Sequence, residues 1–383
     1  MFERLIRPTL ATGTKSVLLL GARQVGKSTL LATLAPDRTI NLASPATYRE
    51  LVAHPEQLER ELRAASPAVR TVLLDEVQRV PALLDVVQVL VDEQPRRFRF
   101  LLSGSSARKL RRGHANLLPG RMHVHRLDPL VARELGDRLD LDRMMAHGTL
   151  PGIYATADAA ERDATLRSYV DGYLREEVQA EALVRDVGGY ARLLDAVAAS
   201  SGRILNLNAL AQDVGVRYET ARRYLEVLED TLLAFRVPAW SGSDRGSLVQ
   251  HPRIYLFDLG VRNALLRRPL DAPLPDERGL LLEHLVAYEL ERRRGSLSAD
   301  ARLSYFRTRN GAEVDFVWEV GRERWAIEVK ASRALRAEPM RGFRALGERV
   351  GKVHRALVVY LGDRRQAFDG YEAIPFRELA LEL

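Results

Sequence analysis

A glycine-rich loop between an apolar run and a helical segment constrains the fold of this chain more than any other feature. Residues 21–28 read Gly-Ala-Arg-Gln-Val-Gly-Lys-Ser, and they lie between the continuous apolar run Ser16–Leu20 and a helix-forming segment. This order predicts a buried parallel strand followed by a phosphate-binding loop. Backbone N–H groups would hold the phosphates, Lys27 would reach the β- and γ-phosphate oxygens, and the Ser28 hydroxyl would bind Mg²⁺. The predicted nucleotide contacts are Gly21, Ala22, Arg23, Gln24, Val25, Gly26, Lys27, Ser28, Thr29 and Ser105.

Two further apolar runs end in polar residues that suit nucleotide chemistry. The first, Thr71–Asp75, is followed by Glu76. Asp75 would hold Mg²⁺ directly or through water, and Glu76 would orient and polarise the attacking water. The second run leads into Ser-Gly-Ser-Ser, where Ser103 or Ser105 would sense the γ-phosphate between the other two strands, or would form a turn without a ligand. None of the lysines follows an asparagine, so the guanine-recognition sequence Asn-Lys-x-Asp is absent and ATP is favoured over GTP.

Several short segments of the first 130 residues form a set. They are Thr39-Ile-Asn-Leu42, Asp75-Glu-Val-Gln-Arg-Val-Pro81, Leu101-Leu-Ser-Gly-Ser-Ser106, Leu118-Pro-Gly-Arg121 and Leu127-Asp-Pro-Leu130. The set resembles the bacterial and archaeal AAA-type ATPases that carry a C-terminal domain of unknown function, and the resemblance covers essentially the whole chain. It implies an α/β fold with an AAA-like P-loop NTPase sheet, and a homo-oligomer with a hexameric ring as the expected form. In such rings an arginine of the neighbour completes each site; Arg121 is the candidate, in cis or in trans, with a surface role as the alternative.

The middle of the chain shows two kinds of helical pattern. Residues 128–190 are polar and resemble the helical lid of AAA proteins; within them Arg175 is expected to form a salt bridge rather than to reach nucleotide. Residues 191–245 predict two helices around a Val-Gly-Val turn and then a strand, as in a winged helix-turn-helix. This unit would contact DNA, mainly through phosphates, or would pack within a ring. The candidate DNA contacts are Arg217, Tyr218, Arg222 and Arg223.

A predicted strand hairpin in residues 246–383 places two acids and a lysine on one side. Alternation sends Phe316 and Ile327 to apolar faces and leaves Asp315, Glu328 and Lys330 on the opposite faces. If the apolar faces align, the acids and the amine converge. This pattern resembles PD-(D/E)xK nucleases, in which the acids bind Mg²⁺ and the lysine orients the attacking water or stabilises the pentacoordinate phosphate.

A helix before the hairpin adds a fourth position. Its apolar face carries Glu283, which needs a partner because charged groups are almost never buried unpaired. The resemblance assigns Glu283 to the same metal site and implies a restriction-endonuclease-like α/β domain. The alternatives are a solvated polar face and a fold that binds DNA without cleaving it. Arg253, Arg307 and Arg309 would line a phosphate path beside the site.

The amino-acid composition limits the binding partners and the chemistry that the chain can have. The net charge of +7 suits nucleic acid as a partner. A general preference for arginine on a solvated surface would give the same net charge. Only five of the 58 basic residues are lysines, so Lys27 and Lys330 indicate places that need a compact, mobile ammonium. The absence of cysteine excludes disulfides, thiol catalysis and cysteine-ligated zinc. No apolar run approaches the roughly 20 residues that span a bilayer, so we expect a cytoplasmic protein without a membrane partner.

The sequence therefore predicts four parts. These are a P-loop ATPase core over 1–127, a lid over 128–190, a winged helix-turn-helix over 191–245 and a nuclease-like domain over 246–383, with a joint at 241–247. The favoured function is an ATPase that uses ATP and Mg²⁺ to act on DNA, as an oligomeric motor or remodeller of structured or branched DNA. The alternatives are an ATP-gated, Mg²⁺-dependent nuclease and a nucleotide switch that regulates a protein partner.

Overall fold

A computed structural model describes most of the chain. The described residues are 2–105, 120–174, 186–241, 248–269, 273–296, 301–336 and 340–383. Leu118, Arg175 and residues 242–247 of the expected joint lie outside these ranges. The chain divides into two compact units, one made of residues 1–130, 150–152 and 227–233 and the other of residues 131–149, 153–226 and 234–383. The finer division into four parts stays a prediction.

The strands described in the first unit form one parallel sheet. Their bounds are β1 Ser16–Leu20, β2 Arg38–Asn41, β3 Thr71–Asp75, β4 Arg99–Gly104 and β5 Met122–Arg126. The described helices of this part of the chain are α1 Arg7–Thr12, which precedes β1, and α2 Lys27–Ala32, α3 Pro45–Ala53, α4 Glu56–Arg63 and α5 Leu83–Glu93, which lie between the strands. The sheet order is β2-β3-β4-β1-β5, so β4 lies between β1 and β3 as the sequence predicted. The carboxyl ends of these three strands therefore meet at one edge of the sheet.

Burial explains why the strands of this sheet appear in the sequence as unbroken apolar runs. Every residue of β1 is buried, as expected for an inner parallel strand with both faces covered. Leu18, Leu74 and Leu102 of three adjacent strands belong to one core cluster with Leu62 of α4 and Val87 of α5. This core fixes the sheet whose carboxyl edge carries the predicted nucleotide residues.

The second unit contains a mixed sheet. Among its described strands, β6 Ala234–Val237 pairs antiparallel with β7 Arg253–Leu256. A larger sheet has the order β12-β13-β11-β10-β9-β8. Its strands are β8 Ala301–Arg307, β9 Glu313–Val320, β10 Glu323–Lys330, β11 Arg355–Tyr360, β12 Gln366–Phe368 and β13 Tyr371–Pro375.

The remaining described helices complete the chain. They are α6 Ala132–Leu135, α7 Leu141–His147, α8 Pro151–Ala155, α9 Ala159–Ser168, α10 Val187–Ser200, α11 Leu207–Val214, α12 Tyr218–Asp230, α13 Leu259–Leu265, α14 Arg278–Ser296, α15 Arg341–Val350 and α16 Phe376–Glu382. The turn between α11 and α12 passes through Gly215 with φ of +73°, where glycine is favoured. The helices and the following strand lie where a winged helix-turn-helix was predicted, and that assignment stays a prediction. Across the described ranges, no helix has the length and apolar character needed to traverse a bilayer.

The predicted hairpin forms with its apolar faces aligned. Strand β9 pairs antiparallel with β10, with Phe316 opposite Ile327, and both side chains are fully buried. Extending that register by one residue brings Asp315 opposite Glu328. Helix α15 crosses this sheet closely, because a Cβ added to Gly342 would lie 1.8 Å from the carbonyl oxygen of Glu313.

Candidate functional site

The loop after β1 depends on two glycines for different reasons. Gly26 adopts φ of +94°, in the left-handed region where a side chain is disfavoured. A Cβ on Gly21 would lie 2.2 Å from the carbonyl oxygen of Leu127, so only glycine allows the loop to pack against the chain that follows β5. The buried Lys27 ammonium donates to the carbonyl oxygens of Gly21 at 2.8 Å and Ala22 at 2.9 Å. The strand, loop and helix predicted from the sequence are thus confirmed.

Arg4 holds the same loop in place, and no sequence pattern pointed to it. Its Nη1 donates to the carbonyl oxygen of Val25 at 2.8 Å, and its Nη2 donates to that of Asp128 at 2.5 Å. The side chain is buried; its hydrogen bond to Val25 lies away from bulk water, and its hydrogen bond to Asp128 is partly buried. The second one spans 124 residues of chain, and no local pattern reports a contact of that separation.

The candidate magnesium ligands meet at the carboxyl edge of the sheet. The Ser28 hydroxyl donates to Oδ1 of Asp75 at 2.7 Å, and the Ser103 hydroxyl donates to the same oxygen. Ser103 also accepts a hydrogen bond from the backbone N–H of Glu76 at 2.8 Å. Hydroxyl and carboxylate oxygens are ligands that Mg²⁺ prefers, so this arrangement fits the predicted ion. Ser103 therefore positions the acids at the end of β3.

Glu76 is held by Gln78, a residue to which no sequence pattern assigned a role. Its backbone has φ of +63°, a conformation that is uncommon outside glycine and is found most often at functional sites. Gln78, which is buried, donates from Nε2 to Oε2 of Glu76 at 2.5 Å and to the hydroxyl of Ser105 at 2.9 Å. One amide therefore links the proposed water-orienting acid to the candidate γ-phosphate sensor. The only sequence signal is a glutamine two residues after the acid.

The structure does not support a role for Arg121 at the phosphates of its own chain. Arg121 directly precedes β5, whose first residue Met122 pairs with Ser16 at the start of β1. The phosphate loop begins at the other end of β1, about 16 Å away for five residues at about 3.3 Å each. The Arg121 Nε instead lies 2.5 Å from Oδ1 of Asp92. The in-cis assignment is wrong for this geometric reason, and the in-trans role stays a prediction.

The predicted DNA contacts all lie on the surface. Arg217, Tyr218, Arg222 and Arg223 are exposed at and near the start of α12. Arg222 forms ion pairs along the helix, 3.2 Å from Glu226 and 3.9 Å from Glu219. The exposed positions suit phosphate contact, but the neighbouring acids already offset part of the charge of Arg222.

In the second unit, side chains from several elements form a carboxylate cluster, which we define as Glu283, Glu313, Asp315 and Glu328. Arg253 of β7 lies among them. Its Nη1 is 2.6 Å from Oε1 of Glu283 and 3.6 Å from Oδ1 of Asp315, and its Nη2 donates to Glu313. Instead of lining a phosphate path, Arg253 is buried, with only 5% of its surface exposed.

Three further hydrogen bonds or ion pairs hold the carboxylate cluster. Lys330 Nζ lies 2.9 Å from Oε1 of Glu328, so the predicted acid and lysine do meet. The backbone N–H of Val329 donates to Oδ2 of Asp315 at 2.9 Å. The Tyr255 hydroxyl donates to Oε1 of Glu283 at 2.8 Å. The four predicted residues are thus brought to one region, where Arg253 and Glu313 join them.

Burial and mutual repulsion perturb the carboxyl groups of the cluster. Burial, with a further contribution from the Asp315 carboxylate, raises the pKa of Glu283 to about 7 and the pKa of Glu328 to about 7. Burial also raises the pKa of Asp315. Burial alone would lower the pKa of Arg253, but the surrounding carboxylates, Glu283 foremost, raise it above its ordinary value, so its guanidinium stays charged.

The cluster does not fit the predicted second magnesium site. Within the described ranges, no group of three or more Asp, Glu or His side chains is arranged to hold a metal ion. The guanidinium of Arg253 contacts Glu283 and Asp315, two of the three predicted ligands, and Lys330 engages the third, Glu328. The nuclease roles of these residues therefore stay predictions.

Comparison with protein families divides the chain into three matches. Residues 13–136 match the model described as an AAA domain. Residues 138–272 and 278–379 match two domains of unknown function, DUF8612 and DUF4143.

Two curated relatives and several solved structures are similar to the chain. The uncharacterised proteins Rv2008c of Mycobacterium tuberculosis and Mb2031c of Mycobacterium bovis are each 29% identical over 326 residues, which is 82% of this chain and 70% of theirs. A variant of RuvB from Thermotoga maritima is 18% identical and aligns over 58% of this chain and 82% of its own, with a TM-score of 0.26. Protein VC1899 of Vibrio cholerae is 11% identical over 97% of this chain and 96% of its own, with a TM-score of 0.21. At such TM-scores these structural likenesses carry no argument about the chain.

The site and the family match together define the class of protein. A strand, a glycine-rich loop and a helix, with an acid pair at the end of a neighbouring strand, form a P-loop ATPase site. Since residues 13–136 match the AAA domain, the ATPase is of the AAA type. The chain therefore carries an AAA-type ATPase domain over residues 13–136 and matches DUF4143 over residues 278–379.

Proposed function

We propose that this ATPase uses Mg²⁺-ATP to act on DNA as a homo-oligomer, moving or remodelling structured or branched DNA. The observation that carries the proposal is the 2.7 Å hydrogen bond from Ser28 to Asp75. It joins the phosphate loop to the acid-bearing strand, so the groups needed for phosphoryl transfer lie at one edge of the sheet.

Each residue at that edge has a distinct task in hydrolysis. Lys27 turns from the loop carbonyls to the β- and γ-phosphate oxygens, where its ammonium offsets developing charge. Ser28 and Asp75 would hold Mg²⁺, which supplies further neutralisation of the phosphates when bound. Glu76 accepts a hydrogen bond from the attacking water and orients it toward the γ-phosphorus.

Charge supports DNA as the partner. The chain carries a net charge of +7, and Arg217 and Arg223 are exposed near the start of α12. Exposed arginines attract phosphates whatever the base sequence, so we expect binding that depends on DNA shape rather than on bases. In the proposed oligomer Arg121 would serve the nucleotide of a neighbouring subunit.

The first test is steady-state ATP hydrolysis with and without single-stranded, duplex and four-way-junction DNA at fixed salt. We expect DNA to raise the rate of ATP hydrolysis. The increase should be largest with the DNA structure on which the protein acts. The variant Lys27→Ala should lose turnover in every condition. Lys15→Ala is the matched control, since Lys15 is exposed and contacts the carbonyl oxygen of Gly120 at 3.2 Å, so it should behave as the wild type.

The other outcomes of this test point elsewhere. A rate that no DNA changes would overturn the DNA proposal and favour a nucleotide switch acting on a protein partner. If the same DNA, followed on a gel, is cut by the wild type and not by Asp315→Asn, the nuclease alternative replaces the motor.

A further inference from the structure

We propose that Arg253 is the resident cation of the carboxylate cluster, and that a divalent ion binds there only when this side chain is removed. The C-terminal domain would then hold its acids together without metal. The proposal concerns the second unit alone and does not depend on the proposed action of the ATPase on DNA.

The position of Arg253 is the first observation. One guanidinium contacts three carboxylates from two elements: Glu283 of α14, and Glu313 and Asp315 of β9. A divalent ion that bridged Glu283 and Asp315 would have to occupy the space that Nη1 fills. The planar, permanently charged fork of arginine suits this bridging role better than a lysine would.

One oxygen of each predicted ligand already accepts a hydrogen bond. Oε1 of Glu283 accepts hydrogen bonds from Arg253 and from the Tyr255 hydroxyl, at 2.6 and 2.8 Å. Oδ2 of Asp315 accepts from the backbone N–H of Val329, and Oε1 of Glu328 accepts from Lys330. Mg²⁺ and Mn²⁺ bind carboxylate oxygens through lone pairs, and these donors reduce the number of lone pairs that remain for a metal.

Arg253 is also held in place by its surroundings. It is the first residue of β7, where it pairs with Val237 of β6. Its guanidinium carbon lies 4.8 Å from the centre of the Tyr305 ring, within the range of a cation–π contact. A buried side chain with strand, ring and carboxylate contacts does not leave the cluster as a surface arginine would.

Removal of this cation should expose a latent metal site. An alanine at position 253 would leave the four carboxylates with too little positive charge, which is strongly unfavourable for buried acids. A divalent cation supplies charge and accepts the same oxygens as ligands. Metal binding would then restore part of the stability that the substitution removes, since a ligand that binds only the folded state stabilises it.

The test uses the full chain without nucleotide. Mn²⁺ binding is measured by electron paramagnetic resonance, and thermal unfolding is followed in EDTA and in millimolar Mn²⁺. We expect the wild type and Asp315→Asn to bind equal amounts of Mn²⁺, because any ion at the phosphate loop is common to both. We expect Arg253→Ala to melt on the order of 10 °C lower in EDTA. It should bind one additional Mn²⁺ and regain several degrees, and Asp315→Asn in the same chain should abolish both gains.

Arg324→Ala is the matched control. Arg324 lies on β10 of the same sheet and pairs with Glu319 at 2.7 Å, outside the carboxylate cluster. Its loss should not create Mn²⁺ binding. Bound Mn²⁺ in the wild type that disappears in Asp315→Asn would overturn the proposal, and this measurement stands even if Arg253→Ala does not fold. Folded Arg253→Ala that binds no additional Mn²⁺ would overturn it as well.

Discussion

At the scale of single residues, Gln78 ties the chemistry of Glu76 to its surroundings. Replacement by methionine keeps the length of the side chain but removes the amide that donates to Glu76 and Ser105. We expect kcat for ATP hydrolysis to fall about tenfold, the effect of losing one hydrogen bond to a charged group. KM for ATP should change little, because Glu76 acts on water. Steady-state kinetics check this, with Gln88→Met of α5 as the control; an unchanged kcat would refute the role of Gln78.

Replacement of Arg4 should affect the affinity for ATP rather than the turnover number. Its hydrogen bonds to the carbonyl oxygens of Val25 and Asp128 set the shape of the phosphate loop. In Arg4→Ala we expect the Kd for ATP, measured with a fluorescent analogue, to rise about tenfold, since one buried and one partly buried hydrogen bond are lost. Arg7→Ala is the control, because its contacts with Thr33 are exposed. Wild-type affinity in Arg4→Ala would show that the loop keeps its shape alone.

At the scale of elements, the seating of α15 on β9 depends on one glycine. A Cβ on Gly342 would collide with the backbone of Glu313, whereas nothing lies within 4 Å of a Cβ on Gly347 of the same helix. We expect Gly342→Ala to lower the free energy of unfolding by about 2 kcal/mol, as overpacking does. Gly347→Ala should leave it unchanged or raise it by about 0.5 kcal/mol, since alanine favours helix. Urea unfolding compares the two; equal stabilities would contradict the close packing.

The sequence predicts those features of the structure whose signal lies within a few consecutive residues, and it does not predict contacts between residues far apart in the chain. Strand alternation placed Phe316 and Ile327 on apolar faces, and the glycine-rich loop located the nucleotide site, because both signals are contained within a few residues. The sequence could not show which of many arginines is buried. Arg253 contacts residues 30 and 60 positions away, so its role depends on how α14 and β9 pack. The in-cis prediction for Arg121 failed for a related reason: its motif identifies a segment but not the edge of the sheet at which that segment lies.

At the scale of the whole molecule, buried acids make the free energy of unfolding depend on pH. Glu289 is one such acid. It lies buried on α14 and accepts a hydrogen bond from the backbone N–H of Ala132 at 2.8 Å. Burial raises the pKa of Glu289 to about 7, despite that bond and the nearby charge of Arg292. The folded state therefore binds this proton more tightly than the unfolded state. The resulting stability is present at acidic pH and is lost as the pH rises through 7.

The variant Glu289→Gln should remove this dependence. Between pH 5 and pH 8 we expect its free energy of unfolding to gain about 2 kcal/mol relative to the wild type. Other titrating groups are common to both proteins and cancel in the difference. Urea unfolding at the two pH values measures it, with Glu348→Gln, an exposed position on α15, as the control. A difference that stays constant with pH would exclude a titrating Glu289.

The net charge makes a second prediction at this scale. If α12 meets DNA phosphates, the affinity should fall steeply with salt because bound counterions are released. Arg217→Ala combined with Arg223→Ala should weaken binding to every DNA sequence alike. It should also reduce the slope of log K against log salt by about two, one per lost contact. Fluorescence anisotropy at several salt concentrations measures this, and Arg60→Ala on α4 is the control. An unchanged slope would place the DNA contacts elsewhere.

The order of strands in the ATPase sheet has a consequence for how the protein is made. β1 is an early segment of the chain, yet its two partners, β4 and β5, begin at residues 99 and 122. During synthesis an apolar strand with both edges unpaired must wait while about 80 residues are added, and such edges invite aggregation. The phosphate loop lies near the start of the chain, yet it packs against Leu127 and is linked through Arg4 to Asp128, so we expect it to form only after these residues have emerged from the ribosome. A nascent chain of this protein should therefore gain nucleotide affinity late and abruptly, when the last strand of the sheet leaves the ribosome.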